Sequence, residues 1–200
     1  MSHAPRTHDT YPLTIGGKIS RELPIVTFPS GKRIASFVML GDTELNEVCA
    51  DLLNAAIGRE IRKRERSFDL IVGTEAKSIA LLQALALRAG HKRYVVLRKG
   101  SKEYMQNPLS VRYTSITTAG EQRLVLDGPD VERIRGKNVL LVDDVVSTGG
   151  TLIAAHALIE RAGGQCVLVA AVLRTDRPPR ARGVFVDVDG EVGASTFELS

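Results

Sequence analysis

The stretch Leu140–Thr151, which reads LLVDDVVSTGGT, constrains the fold of this chain more than any other segment. The apolar run Asn138–Val142 predicts a buried strand, and the apolar periodicity over 152–162 predicts a helix. Two adjacent acids and a short glycine-rich loop separate them. A strand, a polar loop and a helix in this order are typical of the carboxyl edge of an open α/β sheet, where such sheets bind ligands.

The loop itself has the composition of a phosphate cradle. The segment Thr148–Thr151 can present backbone N–H groups and hydroxyls at a helix N-terminus, where the helix dipole also favours an anion. The acids Asp143 and Asp144 repel such an anion, but carboxylates accept hydrogen bonds from vicinal sugar hydroxyls and help to hold Mg²⁺. The loop is neither a Walker A loop nor a G-x-G-x-x-G turn. We favour the interpretation that this loop binds a ribose 5-phosphate. The alternative is a tight turn whose acids are merely solvated.

The whole segment resembles the phosphoribosyl-pyrophosphate (PRPP) motif of the type I phosphoribosyltransferases, which consists of a hydrophobic strand, two acids and a small Thr-Gly loop. The resemblance implies that Asp143 and Asp144 bind the ribose 2- and 3-hydroxyls and contact Mg²⁺ only indirectly, through these hydroxyls and water. PRPP's own oxygens would bind most of the metal. The resemblance also implies a binding segment for the 5-phosphate, made of Ser147, Thr148, Gly149, Gly150 and Thr151.

Two further loops match the family by their position after predicted strands at 69–73 and 94–97. The first resembles the pyrophosphate loop, which in the family often contains a strained cis peptide, and the second resembles the Arg-Lys pair that opens a mobile lid. The implied pyrophosphate ligands are Thr74, Glu75, Ala76, Lys77, Arg98, Lys99 and Lys102, and the catalytic side chains are Lys102, Arg98 and Glu75. Taken alone, the loops also fit an ordinary βα turn and a solvated basic turn.

The residue that follows the second acid by three positions bears on the base. Many 6-oxopurine enzymes of the family have an Asp there, whereas this chain has Ser147, a poor proton donor or acceptor near neutral pH. Adenine enzymes usually have a small residue there, but Thr117 replaces the Glu of their lid. Glu121 and Glu75 are the alternatives for handling the proton.

The resemblance therefore implies a Mg²⁺-dependent purine phosphoribosyltransferase that transfers the 5-phosphoribosyl group from PRPP to a purine base. Its products would be a nucleotide monophosphate and pyrophosphate. Adenine is the favoured base, and hypoxanthine, guanine or xanthine is the alternative. A PRPP-binding regulatory protein with the same fold is the rival from another class.

Strand and helix patterns alternate over residues 42–173, and the strands are apolar on both faces. This predicts an α/β fold in which helices flank a parallel twisted sheet. We expect a disordered tail over 1–10 and a single domain over 11–200. Its expected parts are a hood from 11–40 and C-terminal residues, a core over 41–175, and a mobile lid over 100–122. We also predict a strand at 34–39, a hairpin of 111–116 with 123–126, and an interruption of regular structure at 127–129.

Composition bears mainly on partners and location. The chain has 200 residues, a net charge of +4 and a pI of about 9.2. The basic run Arg62–Arg66 is interpreted as a solvated helix end, and the few aromatic residues supply little base stacking. Cys49 and Cys166 are expected to be reduced core residues. No apolar run indicates a signal peptide or a membrane span. We expect a cytoplasmic protein without nucleic-acid or membrane partners, and the family resemblance implies a homodimer.

Overall fold

The computed structural model describes residues 9–29, 31, 33–114, 121–174, 183–186 and 192–195. The helices are α1 (Thr43–Lys63), α2 (Ile79–Arg88), α3 (Gly128–Ile134) and α4 (Gly150–Arg161). The strands are β1 (Thr10–Ile15), β2 (Ile19–Thr27), β3 (Arg33–Ala35), β4 (Leu70–Thr74), β5 (Val95–Leu97), β6 (Leu109–Thr114), β7 (Glu121–Leu126), β8 (Asn138–Val146), β9 (Gln165–Arg174), β10 (Gly183–Val186) and β11 (Val192–Ser195).

The main sheet has the strand order β11-β10-β9-β8-β4-β5. Its neighbours pair in parallel from β10 to β5, and only β11 runs antiparallel to its neighbour. Apolar side chains from the two faces of the strands enter two separate core clusters, one with α1 and α2 and the other with α3 and α4. The predicted parallel sheet flanked by helices is therefore confirmed.

Close packing at the centre of the sheet depends on Gly73 in β4. A Cβ atom there would lie 2.7 Å from the carbonyl oxygen of Val142 and 2.7 Å from Cδ2 of Leu82. Real Cβ atoms essentially never approach another heavy atom so closely. The absence of a side chain thus lets β4 sit between α2 and β8, and it fixes the position of the loop that follows β4.

The N-terminal segment forms a three-stranded antiparallel sheet in the order β1-β2-β3, which we call the hood sheet. Its apolar side chains Leu13, Ile15, Ile19 and Leu23 join the same core cluster as α1. The predicted strand at 34–39 is wrong beyond Ala35. Phe37 and Met39 are buried, which produces a period-two pattern, but they anchor a connection to α1 rather than a strand.

Helix ends follow the capping rules. Asp42 is the N-cap of α1, and its side chain accepts a hydrogen bond from the Leu45 N–H at 3.0 Å. Basic residues, Arg62 and Lys63, occupy the last turn of α1, so the prediction that the basic run begins at a helix end is confirmed. Asp127 caps α3, with Pro129 in its first turn, where a missing N–H costs little. Residues 127–129, where we predicted an interruption of regular structure, therefore form the start of a helix.

The predicted hairpin is confirmed and begins earlier, because β6 starts at Leu109 and pairs with β7 over six residue pairs. It packs on α4, where the Arg161 guanidinium donates to the Ser110 carbonyl oxygen at 2.8 Å. Reciprocal N–H···O bonds of 2.8 Å between Arg98 and Val125 join it to the end of β5. The tip of the predicted lid, including Thr117, lies outside the described residues.

Other predictions also reach the limits of the described chain. Positions 1–8 of the predicted tail lie outside it, and Thr10 already belongs to β1. Cys49 and Cys166 are free, as predicted, and burial raises the pKa of each thiol to about 12. None of the helices described is both long enough and apolar enough to cross a membrane.

Candidate active site

Three loops meet at one edge of the main sheet because they follow the neighbouring parallel strands β5, β4 and β8. The Thr74 hydroxyl at the end of β4 donates to Oδ1 of Asp143 in β8, at 3.0 Å. The Glu75 N–H donates to the carbonyl oxygen of Leu97, the last residue of β5, at 3.0 Å. The structure therefore brings the three predicted ligand segments together.

The two acids lie inside β8, which continues to Val146, and not in the loop where the sequence placed them. Their exposed fractions are only 6% for Asp143 and 8% for Asp144. Burial, and then the negative charge of Asp144, raises the pKa of Asp143 to about 7. Hydrogen bonds from Thr74 and from the Asp144 N–H, at 3.1 Å, partly offset this rise.

One carboxylate oxygen of this pair, Oδ2 of Asp144, is buried and has no hydrogen-bond partner within the described part of the chain. A buried polar atom without a partner costs roughly 1–3 kcal/mol, and more if it is charged. A ligand that brings hydrogen-bond donors or a cation, such as a vicinal diol with Mg²⁺, would satisfy this oxygen. Nowhere in the residues described do three or more His, Cys, Asp or Glu side chains form a metal cluster. The two acids suit a cation that takes most of its oxygen ligands from elsewhere.

An open helix N-terminus follows the acids. Gly149 occupies the N-cap of α4 with φ at +79°, a left-handed conformation that glycine adopts without steric cost. It has no side chain with which to cap the helix, and it accepts the Ile153 N–H at 2.9 Å through its carbonyl oxygen. The N–H groups of the first turn remain available to an anion, and Thr148 beside them is exposed.

The loop after β4 is held at both of its ends. The Glu75–Ala76 peptide bond is cis. The buried Ser78 hydroxyl donates to the Thr74 carbonyl oxygen, and the Lys77 ammonium donates to the Phe37 carbonyl oxygen at 3.3 Å. The connection between the hood sheet and α1 therefore contacts the loop that follows β4.

The Glu75 carboxylate faces cationic and N–H groups. Oε1 accepts the Lys99 N–H at 2.5 Å, and Oε2 lies 2.6 Å from Nε of Arg98. The second contact is an ion pair without hydrogen-bond alignment, since the Arg98 Nε–H has no acceptor in line within the described chain. Both oxygens are thus engaged with the segment that begins at Arg98. The Glu75 carboxylate would repel pyrophosphate. Its geometry therefore suits the positioning of Arg98 and Lys99 better than direct contact with pyrophosphate.

The remaining predicted cations are open to solvent at this edge. Lys99 and Lys102 are exposed, and only the backbone of Lys102 is engaged, with its N–H 3.4 Å from Sδ of Met105. Sequence reasoning missed Phe37 and Ser78 in this region. A carbonyl contact leaves no side-chain signature in a sequence, and a single serine at a helix start is too common to indicate a role.

Comparison with known proteins agrees with this geometry. The family model of the phosphoribosyl transferase domain matches residues 44–190. An adenine phosphoribosyltransferase of Nocardia farcinica is 39% identical over 108 residues, which is 54% of each chain. A hypoxanthine/guanine phosphoribosyltransferase of Methanococcus voltae is 34% identical over 124 residues, which is 62% of each chain. The chain thus spans between half and two thirds of the length of these curated relatives.

A solved structure is similar over a longer stretch. The adenine phosphoribosyltransferase of Saccharomyces cerevisiae, in complex with an imino-altritol bisphosphate and adenine, superposes with a TM-score of 0.64. The sequences are 25% identical, and the match covers 77% of this chain and 85% of the yeast chain.

Proposed function

This chain belongs to the type I phosphoribosyltransferase family, and from that premise we propose that it is a purine phosphoribosyltransferase. It transfers the 5-phosphoribosyl group from PRPP to a purine base, with adenine favoured, and releases pyrophosphate. The observation that carries the proposal is the buried pair Asp143 and Asp144, which has an unpartnered oxygen and lies in the strand that leads to the open N-terminus of α4.

PRPP binds across the carboxyl edge of the sheet. The ribose 2- and 3-hydroxyls donate hydrogen bonds to Asp143 and Asp144. The 5-phosphate accepts hydrogen bonds from the N–H groups and hydroxyls of Ser147 to Thr151. The separation of function follows from charge, because the acids would repel the phosphate and the helix N-terminus attracts it. The pyrophosphate lies between the loop of Thr74 to Lys77 and the cations Arg98, Lys99 and Lys102.

Transfer breaks the bond between C1 of the ribose and the pyrophosphate oxygen, which keeps the electron pair. A nitrogen of the base forms the new bond to C1 from the opposite face, and the proton that the base loses passes to an oxygen of the departing pyrophosphate or to water. When bound, Mg²⁺ neutralises charge on the pyrophosphate oxygens. This chain's residues contribute position and electrostatics: Lys102 and Arg98 face the departing negative charge, and Glu75 holds Arg98 and the Lys99 N–H in place.

The base preference rests on Ser147, since a hydroxyl does not act as an acid or base near pH 7. Adenine enzymes among the relatives support this choice, and the yeast neighbour was solved with adenine. The hypoxanthine/guanine relative supports the alternative base class. The exocyclic amine of adenine can donate a hydrogen bond to backbone carbonyl oxygens, so no acid is required at position 147.

Nucleotide formation from PRPP, measured over a panel of purines and pyrimidines, tests the transferase. We expect adenine to have the highest kcat/KM in competition with hypoxanthine and guanine at saturating PRPP and Mg²⁺. A single buried hydrogen bond left unpaired costs roughly 1–3 kcal/mol, which corresponds to about 5- to 150-fold in selectivity. A preference for hypoxanthine or guanine would overturn the adenine assignment alone. PRPP binding without transfer to any base would favour the regulatory rival.

The remaining parts of the proposal concern assembly, location and domain limits. A homodimer, a cytoplasmic location, the lid over 100–122 and the hood over 11–40 stay predictions. Sedimentation of the full chain at several concentrations tests the dimer directly.

A further inference from the structure

The edge of the main sheet opposite the candidate active site collects positive charge. The amino ends of β4, β5 and β8 lie side by side there, at about 4.8 Å between neighbouring strands. The end of α1, the turn before β5 and the turn after α3 lead into these strands. The end of α4 lies beside them, because the Gly136 N–H donates to the Gly163 carbonyl oxygen at 2.8 Å. We call the residues 60–69, 91–94, 132–138 and 160–161 the basic edge.

The charge of the basic edge is strongly unbalanced. It contains ten Lys and Arg residues against five Asp and Glu, whereas the whole chain has a net charge of only +4. Within the described chain, six of the ten cations have neither a hydrogen bond nor an ion pair, and all six are exposed: Arg62, Lys63, Arg66, Lys92, Arg93 and Lys137. Complementing helix dipoles accounts for Arg62 and Lys63 only, because the other four lie beyond the helix ends.

A cleft opens at the β5 end of this edge. It encloses about 340 Å³ and is lined by apolar and cationic side chains from α2, the following turn and α3, among them Leu87, Lys92, Arg93, Tyr94 and Arg133. The His91 ring also lines it and stacks on Phe68, with ring centroids 5.1 Å apart. A lining that combines apolar, aromatic and cationic side chains suits a heterocyclic ring that carries phosphate groups.

We infer that the basic edge binds single-stranded nucleic acid, with phosphates along the unpaired cations and one base in the cleft against Tyr94. The inference is independent of the proposed transferase, because it concerns the opposite edge of the sheet. It departs from the sequence-based expectation, in which Arg62–Arg66 was one isolated run. The fold adds cations from three other segments and places aromatic rings among them. An acidic protein would satisfy the cations but leave the ring-lined cleft unexplained.

A fluorescently labelled 12-nucleotide RNA of mixed sequence, and the DNA of the same sequence, provide the probes for a titration of the full chain at 50–300 mM salt. In the variant Lys92→Ala with Arg93→Ala, we expect weaker binding and a salt slope smaller by about 1.4, since each phosphate contact on a single strand contributes about 0.7. Tyr94→Leu retains apolar packing but removes stacking. It should weaken binding about 5- to 100-fold with an unchanged salt slope.

The matched control is Lys18→Ala with Arg33→Ala, which removes two exposed cations from the hood sheet. This control should bind the probes like the unmodified chain. Equal weakening by both double variants would overturn the inference, because charge alone would then explain binding. Failure of both probes to bind at 50 mM salt would also overturn it, as would equal affinity for a 12-residue polyglutamate.

Discussion

The buried carboxyl of Asp143 leads to an expectation that separates stability from function. Its pKa is raised to about 7, so its charged form is disfavoured in the folded protein. Replacing it in Asp143→Asn removes the charge, and the amide oxygen can still accept from the Thr74 hydroxyl and the Asp144 N–H. We expect this variant to be more stable than the unmodified chain above pH 7 when no ligand is bound.

The sign and size follow from proton linkage. The ordinary pKa of this carboxyl is 3.8, so between pH 4 and 7 the folded protein keeps a proton that the unfolded chain loses. This contribution to stability is complete below about pH 4 and is lost as the pH rises through 7. Three pKa units correspond to at most about 4 kcal/mol. The variant buries an amide N–H₂ group without an acceptor, which costs roughly 1–3 kcal/mol. This cost reduces the stability that the variant gains above pH 7 from the loss of the charge.

Thermal unfolding between pH 4.5 and 9 measures the effect. The Tm of the unmodified chain should fall relative to that of the variant as the pH rises from 4.5 to 7, and the difference should level off above about pH 8. A net gain of about 1–3 kcal/mol raises the Tm of a chain this size by roughly 2–10 °C. Glu132→Gln, which removes an exposed acid, is the control and should leave the pH profile unchanged. Parallel pH profiles for the unmodified chain and Asp143→Asn would refute the reasoning.

The same substitution should weaken the PRPP binding on which the proposed function depends. Titration calorimetry with PRPP and Mg²⁺ on the folded variant should show binding weaker by about 1.5–3 kcal/mol for each lost charged hydrogen bond. The double variant Asp143→Asn with Asp144→Asn should lose binding entirely. Undiminished affinity in either would contradict the assignment of these acids to the ribose.

Three further predictions concern the loops around the site. Gly73→Ala should lower the free energy of unfolding by about 1–3 kcal/mol, because its Cβ would lie 2.7 Å from the Val142 carbonyl oxygen, and an unchanged Tm would contradict this packing. Glu75→Gln should weaken pyrophosphate positioning but leave kcat within tenfold. A loss of a hundredfold or more in steady-state assays would indicate proton transfer instead. Amide hydrogens of 100–104 should exchange fast and become protected with PRPP and Mg²⁺, whereas equal protection in both states would argue against a lid.

The sequence was sufficient for the parallel sheet and the composition of the ligand loops. The position of Asp143 and Asp144 inside β8 was not predictable, since acids usually end a buried strand. Their burial depends on contacts with β4, 69 residues away in the chain.

Long-range pairing also explains the other errors. Whether 36–39 becomes a strand depends on a partner strand, and the alternation of Phe37 and Met39 carries no information about one. The engagement of Glu75 with Arg98 and Lys99 likewise depends on β4 and β5 being neighbours. The basic edge is the extreme case, because its four segments are distant in sequence and meet only through the topology of the sheet.

The three-residue strand β5 has a consequence for self-association. It is the outermost strand of the main sheet, and an outer strand with unpaired N–H and carbonyl groups invites a strand of another molecule to add to it. Here the strand is short, and the hairpin of β6 and β7 is joined to its end by the reciprocal bonds between Arg98 and Val125. The hairpin therefore shields this end of the sheet from edge-to-edge aggregation.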